Sequence, residues 1–157
     1  MTTKTVTLEQ FTKELGQLPK DLETAIVRGL RSAAARGVGE VVQAINTASP
    51  HPPVDTGGLA RSVEHSNLPK GGRIEVDAPH AAVMENGARP FWPPIEPLED
   101  WAKRKFGVDD EEAEEIARAV QIKSATFGIE PRHYFRTAMV RIRKIVPVEV
   151  ESELGKI

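Results

Sequence analysis

The chain has no cysteine. Disulfides, thiol nucleophiles and cysteine-held zinc are therefore excluded, and the composition suits an intracellular folding compartment. Aromatic residues are few, at 5% of 157 residues, so the adjacent pair Phe91 and Trp92 stands out. Neither sign of charge dominates. The formal net charge is -2, and no overall basic field exists to attract nucleic acid. No apolar run approaches the ~20 residues needed to cross a bilayer, so no membrane partner is expected. The opening MTTKTVTLEQ lacks the apolar core of a secretion signal, which predicts a protein made and folded in a cytoplasm. What is present, 39% hydrophobic and 28% charged residues, describes a soluble globular protein whose length fits one domain with a real core.

Along the chain, Thr7 and Gln10 have capping-box spacing and predict a helix start near Leu8, with Pro19 interrupting it, kinking it or opening the next segment. Leu22, Ile26, Leu30, Ala33, Gly37, Val41, Ile45 and Ala48 then recur at spacings of three and four. They predict a helix of about 28 residues, long against an average of ~11–12. Small residues near that face (Ala25, Gly29, Ala33, Ala34, Gly37) permit close approach of another element, either the domain's own sheet or a neighbour. Nine of the 12 prolines lie between positions 50 and 97, so strands and loops are expected there. Val54 to Leu59 reads as a turn into a strand, with Asp55 or Thr56 bonding nearby amides. Leu59 to Ser66 and Arg73 to Asp77 alternate and predict an antiparallel hairpin about Pro69 to Gly72, covered by the long helix. Helices are expected over His80 to Asn86, Pro94 to Phe106 and the acid-led segment from Asp109 to Gly128. A last helix should open at Pro131 and stop or kink at Pro147. The expected organisation is one α+β domain over residues 1–157. It has an N-terminal arm or short helix over 1–19, a core over 20–147 and a tail over 148–157 that is flexible or bound to a partner.

Residues of catalytic or metal-binding type are scattered. His51, His65, His80 and His133 lack the i, i+4 spacing of a helical metal pair, and the acid run lacks calcium-loop spacing. Ser62 with His65 and Asp55 could form a triad in name, but a strand would place Ser62 and His65 on opposite faces. No catalytic residue, metal or cofactor is expected. Pro79 to Trp101 points elsewhere. Pro90, Pro93, Pro94 and Pro97 stiffen the backbone around Phe91 and Trp92, which suits a contact surface. The acids Asp110, Glu111 and Glu114 and the basic Arg132, Arg136 and Arg141, with Arg143 and Lys144, suggest opposed charged faces meeting head to tail in a closed ring. Arg89, beside the aromatic pair, is a further candidate contact.

Three segments in order carry a resemblance. They are Val54 to Val63 (VDTGGLARSV), His80 to Pro90 (HAAVMENGARP) and Pro131 to Ala138 (PRHYFRTA). Together they resemble the neck, or tail-completion, proteins of long-tailed bacteriophages, a group that includes minor tail protein Z-like proteins. Asp55, Thr56, Gly57, Leu59, Ser62, Glu85, Gly87, Phe135 and Ala138 match that pattern. Ala88 stands where threonine is common, and Tyr134-Phe135 follows Arg132-His133 where a Pro-Phe pair is frequent. The resemblance covers roughly residues 20–145. It implies a virion structural protein at the head–tail junction or top of the tail, assembling as a homo-oligomeric ring. Neighbouring neck proteins (an adaptor or head-closure protein, a tail terminator or tail tube) would contact it, and DNA would pass through the lumen without sequence-specific binding. The virion would be its final location and the host cytoplasm its place of assembly. It implies an α+β fold with a long helix on a small, largely antiparallel sheet, and no catalytic residues or cofactors. A near-neutral to acidic ring suits DNA passage, because a strongly basic lumen would retain DNA. Two other readings stand beside it: a cytoplasmic assembly adaptor or chaperone that never enters the particle, and a small hydrolase using Asp55, His65 or Glu85.

Overall fold

A computed structural model of the chain describes residues 8–50, 52–53 and 55–157, with side chains from residue 19 onward. The fold is α+β. A long helix, α1 (Leu8–Asn46), is followed by a short α2 (Gly58–Arg61), a hairpin β1 (Val63–Leu68) and β2 (Gly71–Val76), then α3 (Ala81–Asn86), α4 (Glu96–Phe106), α5 (Asp110–Phe127) and α6 (Tyr134–Leu154). β1 and β2 pair antiparallel, with Val63 opposite Val76 and Leu68 opposite Gly71.

The repeat from Leu30 to Ile45 makes α1 the central element, with the hairpin and α6 both packed on it. Small residues set the spacing. A Cβ on Gly29 would lie 2.6 Å from the Cα of Val150, so α6 approaches α1 almost backbone to backbone there. On the hairpin side, Gly72 faces Ala34 equally closely. The stripe of small residues is thus filled within the molecule. α6 runs antiparallel to α1, its Ile142 beside Gly37 and its Val150 beside Gly29. The main core joins Val41, Ala44, Ile45, Leu59, Val63, Ala81, Tyr134, Ala138 and Ile142, each large aliphatic burial stabilising by roughly 1.5–3 kcal/mol.

Four boundaries differ from expectation. α1 is continuous through Pro19; Pro19 is exposed, so water can satisfy the carbonyl that its missing N–H leaves unpaired. The expected cap at Thr7 lies outside the described residues. The Leu59–Arg61 stretch is helical, with the Arg61 and Ser62 amides donating to the Gly57 and Gly58 carbonyls at 3.1 and 3.0 Å. Leu59 and Val63 are both buried, and a spacing of four fits a helix face and a strand face alike. α6 begins at Tyr134, not Pro131, because the Arg132 and His133 amides are already bonded to the Met84 and Glu85 carbonyls at 2.8 and 3.1 Å.

α6 also passes through Pro147 to Leu154, so residues 148–154 are packed helix where a flexible or partner-bound tail was expected. Val150 seats against Gly29. Glu149 accepts from Ser32 Oγ at 2.5 Å and pairs with Arg36, and those two partners hold its carboxyl below the usual carboxylate range.

α4 and α5 form a helical hairpin that packs mainly on itself. Ala102, Ala113 and Ala117 are fully buried between the two helices. Pro97 lies in the first turn of α4, Gly107 closes that helix in the left-handed region (φ 67°), and Asp109 caps α5 through Glu112 N at 3.0 Å.

Candidate interaction site

The arm formed by α4 and α5 is joined to the body through a compact set of bonds that the 88–93 loop makes with Ile129 and with the last turns of α5. Ala88 and Ile129 exchange two backbone hydrogen bonds, each 2.9 Å. The Phe91 amide donates to the Ser124 carbonyl at 3.3 Å, and Gln121 Nε2 donates to the Pro93 carbonyl at 2.8 Å. Gly128 follows α5 with φ 74°, and a Cβ there would collide with the Ala88 carbonyl oxygen. A glycine is required at that position on both grounds.

Beside this bridge, Glu85 from α3 accepts from the Phe135 amide at 2.8 Å and the Arg136 amide at 3.0 Å. Those are amides of the first turn of α6, which lack partners within the helix. A carboxylate there satisfies two donors and meets the positive end of the helix dipole. Glu85 makes this cap across 50 residues of sequence. Tyr134, 2% exposed, donates its hydroxyl to the Ala81 carbonyl at 3.1 Å. Burial, and then the charge of Glu85, push its phenol up to about 12.

The segments that carry the family resemblance therefore meet. Leu59 and Ala138 share the core, and Phe135 packs against it. Ser62 Oγ donates to the Leu59 carbonyl at 2.9 Å. Asp55 pairs with Arg104 of α4 at 2.9 Å, and among the described residues its carboxylate bonds no nearby amide. Thr56 supplies its carbonyl to Arg61 at 2.8 Å, and Gly57 holds the left-handed position (φ 77°) before α2. Gly87 (φ 74°) ends α3. The residues weighed for hydrolysis have separate surroundings: Asp55 is at the arm, Glu85 caps α6, and His65 is exposed on β1. Among the described residues, no group of three His, Asp or Glu is placed to hold a metal ion. No helix among them is long and apolar enough to cross a membrane.

The proposed contact residues divide. Arg89, Phe91 and Trp92 are exposed, Trp92 at 67%. Trp101 belongs to the arm, edge-on to Phe106 at 5.6 Å with Lys105 5.5 Å above its ring. Asp110 pairs with Lys103 at 2.6 Å, a hydrogen bond that holds its carboxyl below the usual range, and Glu114 pairs with Arg118 at 2.5 Å. Glu111 stays exposed. The basic set is less uniform than expected. Arg141 is engaged with Gln43 at 3.1 Å and Glu40 at 3.6 Å of α1. Arg132 lies before α6, its side chain 16% exposed, and its single ion-pair partner among the described residues is Glu130 at 3.8 Å. Arg136, Arg143 and Lys144 remain exposed.

The Gln121 and Ser124 bonds and the Asp55–Arg104 pair carry no local signal in the sequence. Gly128 had a signal as a helix stop, but nothing local shows that its carbonyl-facing side must also admit Ala88.

No family model, curated protein or solved structure matches this chain.

Proposed function

We propose that the chain is a virion structural protein of the head–tail connector, neck or tail top of a long-tailed bacteriophage. In this reading it assembles as a ring that completes or joins the tail, contacts neighbouring neck proteins and lets DNA pass through its lumen. The observation that carries the reading is the meeting of the three family-like segments in one core and joint. Glu85 ties the second segment to the third, and Leu59 brings the first into the same cluster. Their matched residues hold backbone and core together, which is the role expected in a protein that works by shape. A second observation favours assembly. Among the described residues, nine of the fifteen buried apolar residues are alanine, whereas Trp92, Phe127, Phe106 and Ile122 are each more than half exposed. Large apolar groups left outside a small-residue core are available for contact with other chains.

The adaptor reading shares these surfaces but ends outside the particle. A Phe91→Ala/Trp92→Ala double variant tests the contact. Its thermal transition should stay within about 2 °C of wild type, as for exposed positions. Complementation with it should yield few joined particles by electron microscopy, because interface aromatics commonly contribute ~2 kcal/mol or more each. A collapsed transition would show the rings to be core, and normal particle yield would remove them from the interface.

A further inference from the structure

β2 and α6 both pack on α1 but hardly on each other. Between them lies an apolar groove of about 450 Å³, lined by Leu30, Leu68, Ile74, Phe135, Met139 and Val146, with Lys70 at its edge. On α6, Arg136 follows Phe135 and Arg143 lies one turn beyond Met139; both are exposed. Helical spacing sets these two cations beside the apolar stripe. Among the described residues, none of the side chains of Lys70, Arg136 and Arg143 forms an ion pair.

The tip of the arm has the complementary chemistry. Phe106, 54% exposed, ends α4, and the acid run of α5 begins just beyond it. Asp109 is used as a cap, Asp110 on Lys103 and Glu114 on Arg118. Glu111, Glu112 and Glu115 are exposed, and among the described residues none forms an ion pair. One surface thus joins an open apolar groove to unspent cations, and another joins an exposed ring to unspent acids. They share no residues, so one chain can offer both at once.

We infer that the groove between β2 and α6 receives the α4–α5 tip of a second copy of this chain. Phe106 enters among Leu68, Phe135 and Met139, while Glu111 and Glu115 meet Lys70, Arg136 and Arg143. The contact is heterologous: each copy uses its tip on one neighbour and its groove on the other. It rests on the ring reading and gives that reading a named interface.

Charge exchange tests it. Sedimentation velocity at low salt would compare wild type with a groove variant (Lys70→Glu/Arg143→Glu), a tip variant (Glu111→Lys/Glu115→Lys) and all four changes in one chain. Wild type should self-associate, and more weakly as salt rises from about 50 to about 500 mM. Each two-site variant should associate at least about tenfold more weakly, because like charges then face each other. The four-site chain should regain association, an outcome that general damage to the fold cannot produce. Association of either two-site variant at wild-type strength, or no recovery in the four-site chain, overturns the contact while leaving the ring to other faces. A wild-type monomer at every salt concentration also overturns it, and the neck assignment is then judged on the presence of the chain in particles.

Discussion

Tyr134 is the largest fully buried side chain among the described residues, and its environment has a pH consequence. Its phenol is pushed from 10.0 to about 12, first by burial and then by the Glu85 carboxylate. The folded pKa is raised, so the native chain keeps this proton where the unfolded chain has lost it. The associated stability is whole below about pH 10 and is lost as pH rises toward about 12. Replacing Tyr134 by Phe leaves the Ala81 carbonyl without its donor, at a cost of about 1 kcal/mol near neutrality. The variant also lacks the alkaline titration. Urea unfolding at about pH 8 and about pH 11 should therefore show wild type more stable at the lower pH, with the gap narrowing at the higher. A gap that stays constant would show that Tyr134 does not titrate against folding.

At the scale of elements, the arm depends on its joint. Gly128→Ala must place a Cβ against the Ala88 carbonyl oxygen and hold alanine at φ 74°. Both effects oppose the bridge, and together they should destabilise by about 2–4 kcal/mol. Hydrogen exchange would locate the damage: the Ala88 and Ile129 amides should lose protection before those of α1. Unchanged exchange there would mean that the bridge does not hold the arm. Much of the element order was legible beforehand, because helix ends carry local signals such as Gly87, Gly107, Gly128 and the acids that open α5. The start of the hairpin was not, since Leu59 and Val63 satisfy both periods. Pro19 and Pro147 misled in the same way. Each costs a hydrogen bond, but both are exposed, and Val150 and Glu149 hold the last turns of α6 against α1. The joint was beyond local reading altogether. Glu85 and Phe135 were noticed as parts of a family-like pattern, but their bond spans 50 residues, and no periodicity reports such a pair.

At the scale of the whole molecule, charge and apolar surface are distributed unevenly. α1, α6 and the hairpin form a body with an open, cation-edged groove, and α4 with α5 forms an acid-tipped arm. Among the described residues, nine alanines of fifteen buried apolar residues let helices approach closely but bury little area each, and association would add stability by burying more. A ring built by such contacts would place many copies of one short chain at a single position in a particle. The most direct test of the proposed neck role is quantitative mass spectrometry of phage particles purified from a lysate that contains the chain, with gold-labelled antibody to locate it. The account predicts the chain in mature particles, in a fixed ratio of several copies per particle, with label at the head–tail junction or tail top. Its absence from purified particles, with abundance only in the lysate, would contradict the account and leave the assembly adaptor in its place.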